Sequence, residues 1–133
     1  MAKTAIERLA KAIEYPDRIP ERSLMAVLRV DGAEVSAAVT GDRLVLSQRL
    51  TGEADKLPAL AGYAAGRMLR EEAVLAYGDG AVFLWQDASA DASEQALVRL
   101  FESFMDSCDW WRARVDASRA EEKTEFPEMM IRP

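Results

Sequence analysis

Residues 96–115 read ALVRLFESFMDSCDWWRARV, and their pattern decides the fold. Leu97, Leu100, Phe101, Phe104, Cys108, Trp111 and Val115 recur at i, i+3, i+4, i+7, i+11, i+14 and i+18, a single stripe of one long α-helix. So many large side chains on one stripe require a flat apolar surface beneath them. Asp91 or Ser93 supplies the N-cap. Trp111 belongs to the stripe, whereas Trp110 is offset toward solvent or another subunit.

The segments before this helix supply the surface. Residues 73–77 and 81–86 read as two strands around Gly78-Asp79-Gly80. Residues 24–30, 34–40 and 43–50 read as a three-strand antiparallel meander, joined at the hairpin signal Asp31-Gly32 and at Gly41-Asp42. Val35, Ala37 and Val39 alternate with polar neighbours, as a half-buried strand requires. A first helix over 3–15 places Ile6, Leu9, Ala10 and Ile13 on one face and ends at Pro16. Another helix is expected over about 56–70, capped by Asp55, with Leu57, Leu60, Ala61, Ala64 and Met68 as its stripe. Gly62 and Gly66 lie four apart on a different side of it. A glycine inside a helix costs about 1 kcal/mol against alanine, so the pair points to close approach of another backbone. That backbone is either a second copy of the same helix or the sheet.

The expected fold is therefore α+β: helix, three-strand meander, helix, two strands and a long C-terminal helix around one twisted antiparallel sheet. Residues 1–117 form a single domain. Residues 118–133 are polar up to Phe126-Pro127-Glu128-Met129-Met130-Ile131, lack periodicity and hold two prolines, which reads as a flexible tail.

Two strands are apolar on both faces. Leu24, Ala26, Leu28 and Val30 share one face of the first strand, but Met25 and Val27 lie on the other. Val82 and Leu84 are backed by Phe83 and Trp85. A sheet covered by helices on one side should be polar on the other. The second side thus needs cover from helices, a partner subunit or a bound polypeptide.

Composition narrows the function. The chain has 133 residues, half of them hydrophobic and 30% charged, enough for one modest core. Its 23 acidic and 17 basic residues give a net charge of −6, which argues against phosphate-backbone binding and suits basic or unfolded partners. There is no histidine, which removes the usual general base and the commonest metal ligand. The single cysteine, Cys108, sits on the apolar stripe and reads as core. No stretch approaches the roughly 18 apolar residues that span a bilayer. The N-terminal MAKTAIERLAKAIEY has acidic residues and no continuous apolar block, unlike a secretory signal. The expectation is a cytoplasmic protein, without nucleic acid or membrane as partner.

Motifs for chemistry are missing. The glycines do not form a phosphate loop. Asp106 and Asp109 stand three apart and read as a solvated face, as does Glu71-Glu72. Ser47, Ser103 and Ser107 have no base implied nearby. The chain reads as a non-enzymatic binding protein that needs no metal or cofactor. The rival class is a small α+β enzyme or ligand-binding domain that uses carboxylates, which a deep polar pocket with converging acids would favour.

The element order, the size and the acidity resemble the class I chaperones of bacterial type III secretion, the CesT-like family. The most telling local piece is the last helix, where Phe101, Phe104, Cys108 and Trp110-Trp111 resemble the family's F…F…(A/C)-x-W pattern. Val82-Phe83-Leu84-Trp85 resembles its fifth strand. The resemblance covers roughly residues 3–117. It implies a homodimer paired through the second helix and the fourth strand, here Leu60, Gly62, Tyr63, Gly66, Arg67, Val74, Leu75 and Tyr77. It also implies that the N-terminal, non-globular segment of a secreted effector wraps the dimer without ATP and stays secretion-competent. The surface implied for that segment comprises Ile6, Leu9 and Ile13 on the first helix and Met25 and Val27 on the first strand. A relative that sequesters a regulator in place of an effector would share all these features.

Overall fold

A computed structural model describes residues 4–51 and 73–131, with side chains through Asp116 apart from Thr51. Helix α1 (Ala5–Ala12) leads to strands β1 (Met25–Val30), β2 (Ala33–Thr40), β3 (Arg43–Thr51), β4 (Val74–Gly78) and β5 (Ala81–Ser89), followed by helix α2 (Glu94–Ile131). The five strands form one antiparallel sheet in the order β1-β2-β3-β5-β4. Over the described residues the expected α+β layout is the observed one. The helix expected over 56–70, with Leu60, Gly62, Tyr63, Gly66 and Arg67, lies outside the described residues.

Turn chemistry sets the register. Asp31 and Gly32 both take positive φ (51° and 77°), the conformation of a two-residue turn that matches strand twist. Asp79 and Gly80 do the same (51° and 73°), so Gly78 ends β4 by pairing with Ala81 and the turn itself has two residues. With register pinned, every second side chain faces the helices. Leu28, Val35, Ala37, Leu44, Leu46, Val82 and Leu84 are fully buried there.

Both described helices cover this one face: α1 packs on β2 and against α2, and α2 crosses β3 and β5. Every residue of the stripe read from residues 96–115 is buried, with Leu97, Phe104 and Cys108 wholly so and Trp111 nearly so. Ser93 is the cap: its Oγ accepts the Ala96 N–H at 3.1 Å and its carbonyl accepts that of Leu97. Trp110 stands edge-on to Trp111, centroids 5.0 Å apart, with the Arg114 guanidinium 4.5 Å over its ring. Buried Gln48 ties the middle of α2 to the sheet, accepting from Arg112 Nη2 at 2.6 Å and donating to the Glu34 carbonyl at 3.2 Å.

Two helix boundaries differ from the sequence reading. First, α2 runs to Ile131 and does not stop near Val115. Ala117, Arg119, Ala120, Glu121, Glu122 and Lys123 are strong helix formers, a propensity that the apolar-stripe argument passes over. Second, α1 ends at Ala12, before Pro16. Glu14 adopts φ 56°, and the Glu14 and Tyr15 N–H groups donate back to the carbonyls of Lys11 and Ala10. That is a Schellman turn with a glutamate where glycine is usual. At the other end Thr4 and Glu7 form a reciprocal capping box. Glu7 Oε1 also accepts the Arg22 N–H at 3.0 Å, and Arg8 donates to the carbonyls of Ala90 and Ala92, so α1 is tied to both the connector and the loop before α2.

Cys108 is buried in this core, and burial pushes its thiol up to about 12, with Arg112 opposing and Asp109 adding to the shift. The folded pKa lies above the ordinary thiol value of 9.0, so between the two the folded state holds a proton that the unfolded state has lost. The thiol's contribution is complete below pH 9 and is lost as pH rises toward 12. Stability measured by urea unfolding is expected to fall over that window, and Cys108→Ala is expected to flatten this part of the profile.

Candidate functional site

The other face of the sheet carries four of the exposed large apolar side chains, Met25, Val27, Val74 and Trp85, and the register arranges them. One row across the sheet runs Val27, Ser36, Ser47, Trp85, Val74. The row beside it runs Met25, Ala38, Val45, Asp87. Large apolar groups thus stand at the two edges, with serines and small residues between them.

At the β1 edge, Met25 is 75% exposed and Val27 56%, and Leu24 just before them is also exposed. At the β4 edge, Trp85 and Val74 stand side by side on the outer face, and Tyr77, 62% exposed, projects on the helix-bearing side. These six are all the large exposed hydrophobics among the described residues. An apolar-lined hollow of about 330 Å³ lies at the β4 edge against Ala76, Phe83 and Trp85. A more polar hollow of about 450 Å³ lies toward the β1–β2 turn, lined by Arg49, Arg112, Ser36, Ser47, Phe83 and others. Glu34 is the single carboxylate among the described residues lining it, so acids do not converge there. Asp106 and Asp109 are exposed on α2. The ion pairs on the outer face, Arg29–Glu34 at 3.1 Å and Arg43–Asp87 at 3.2 Å, are solvent-exposed and contribute little to stability.

The structure divides the residues expected to receive an extended segment. Ile6 and Leu9 are fully buried and anchor α1 to the sheet, so they offer no surface. Ile13 is half-buried against the same core. Met25 and Val27 are exposed together on the outermost strand. Of the residues expected at a dimer contact, Val74 and Tyr77 are exposed at the opposite edge, and Leu75 is half-buried beneath it. Trp85 and Phe83 join them in space, which sequence reading did not assign. Their outward alternation with Val82 and Leu84 was the available signal.

No family model matches the sequence, and no curated protein matches it. Solved structures do. A chain of the HopA1–SchA chaperone–effector complex superposes with a TM-score of 0.62 at 17% identity, covering 79% of this chain and 88% of that one. A chain of the ExsC–ExsE complex gives 0.62 at 19%, covering 81% and 91%. A chain of the ExoT–SpcS complex from Pseudomonas aeruginosa gives 0.61 at 19%, covering 79% and 91%. YbjN from E. coli is similar at 0.52 and 13% identity, over 89% and 90%. The chain therefore shares the fold of the chains in these complexes, in line with the layout that the resemblance implied. At these identities the likeness defines fold alone.

Proposed function

We propose that this protein is a homodimeric, non-enzymatic chaperone of bacterial type III secretion. It acts in the cytoplasm and binds the N-terminal, non-globular segment of a secreted effector. The observation that carries this reading is the gathering of exposed apolar side chains at two opposite sheet edges, on a fold similar to that of chains in the HopA1–SchA chaperone–effector complex, the ExsC–ExsE complex and the ExoT–SpcS complex.

Two edges suit two partners. A strand edge offers backbone hydrogen bonds to an extended polypeptide, and neighbouring apolar side chains select among segments. The β1 edge, with Met25 and Val27, fits that client role. The β4 edge, with Val74, Tyr77 and Trp85, fits a second copy, together with the expected helix that holds Gly62 and Gly66. An obligate contact of this kind buries on the order of 2,000 Å² or more in total. The acidic chain, at −6, repels acidic proteins and favours a basic or neutral client segment.

The test is the mass in solution and the client's behaviour together. Light scattering at micromolar concentration is expected to give twice 14.7 kDa. Co-expression with a candidate effector is expected to yield a complex in which the effector's N-terminal segment resists protease and its remaining domain keeps its native fold. A monomeric mass would reject the dimer, and a client held through a folded domain would reject the chaperone role.

A further inference from the structure

Among the described residues, the free edge of β1 is open over one half and closed over the other. The Leu24 carbonyl accepts the Val39 N–H at 2.8 Å, and antiparallel pairing alternates. Leu24, Ala26, Leu28 and Val30 therefore bond toward β2, and Met25, Val27 and Arg29 turn their N–H and C=O groups to the free side. At Arg29 that side is occupied: its N–H donates to the phenol oxygen of Tyr15 at 3.0 Å. The Schellman turn at Glu14 delivers Tyr15 to this place, and the ring is half-buried against the core.

Side-chain chemistry changes at the same point. Met25 and Val27 present apolar groups outward, whereas Arg29 is engaged with Glu34 in an exposed ion pair. Backbone availability and apolar surface both end between Val27 and Arg29.

We propose that Tyr15 is a strand stop: a client segment adding to β1 pairs with Met25 and Val27 and is turned away at Arg29. This rests on the edge-pairing reading of the preceding section. Antiparallel addition would make two bonded pairs, about four main-chain hydrogen bonds over about three client residues. The required client motif is then short and extended, with an apolar side chain beside Val27. A flat edge specifies register weakly, and a one-residue slip sends every client side chain to the opposite face. A hydroxyl fixed at Arg29 supplies an end-point against which register is set. It also shortens the edge available for pairing with another copy of the chain.

The test uses Tyr15→Phe, which keeps the ring and removes the acceptor, with amide hydrogen exchange read residue by residue. The probe is a twelve-residue peptide selected from a random phage-displayed library on the parent protein. In the free variant the Arg29 amide is expected to exchange about tenfold faster than in the parent, the scale of one net hydrogen bond. In the parent, the peptide is expected to slow Met25 and Val27 and leave Arg29 unchanged. In Tyr15→Phe it is expected to slow Arg29 as well. If Met25 and Val27 are protected in both proteins but Arg29 stays unprotected by peptide in the variant, the stop is wrong and edge pairing stands. Unchanged Arg29 exchange in the free variant also overturns the stop. If selection returns no peptide that protects Met25 and Val27, edge pairing fails and the stop fails with it.

Discussion

Val27→Asp is expected to leave a folded protein of unchanged mass that no longer holds its client. Val27 is more than half exposed on the outermost strand, so the substitution removes little core packing. The cost to the free chain is the poor strand propensity of aspartate, within about 1 kcal/mol. In the complex the carboxylate would be pressed against an apolar client side chain without a partner, and burying an unpaired charge is strongly unfavourable. Affinity for the client is expected to drop by about thirtyfold or more, the range of a hot-spot residue. The measurement is titration of the client segment into both proteins, with light scattering on the free variant. A folded variant that binds as tightly as the parent would move the client to another surface. A variant that unfolds would make Val27 a structural residue. Val27→Ser, which adds no charge, is expected to keep the fold and weaken binding less.

Phe104→Ala is expected to bring the domain close to unfolding. Phe104 has no solvent exposure and sits midway along the stripe that α2 lays on β3 and β5. Truncating such a ring costs roughly 3–5 kcal/mol through lost transfer free energy and the cavity left behind. A domain's whole stability is about 5–15 kcal/mol. The thermal midpoint should therefore fall by well over ten degrees. A midpoint within a degree or two of the parent would show that α2 is not the lid of this core. Trp110 and Trp111 lie two turns further along the same helix, so their fluorescence reports the loss directly.

The candidate site was legible to different degrees for different residues. Met25 and Val27 stood out because they interrupt the alternation that a one-sided sheet demands, and they are indeed exposed. Ile6 and Leu9 could not be separated from them by pattern. A helical apolar stripe is the same whether it meets its own sheet or a foreign chain, and α1 uses both residues to dock on the sheet. Tyr15 carried no signal, because its role depends on a helix ending one turn before Pro16. A glutamate in the left-handed position gives no glycine to read, so the Schellman turn was invisible. Trp85 and Val74 are eleven residues apart in the chain and become neighbours only through the β4–β5 register.

What the sequence determined by itself is what depends on local periodicity: the long stripe from Leu97 to Val115, the five strands and the Asp-Gly turns between them. Each repeats over several residues, so side-chain direction follows from the backbone's own period. The tertiary structure decided which apolar residues are left over. Both described helices fall on one face of the sheet, and β1 and β4 become its edges only because β5 inserts beside β3. An edge is a property of strand order, and strand order is set by which distant faces bury each other best. Local pattern therefore marked Met25 and Val27 as anomalous on a strand that read as an edge, and the packed sheet sets that strand outermost, with the Tyr15 hydroxyl accepting the Arg29 N–H.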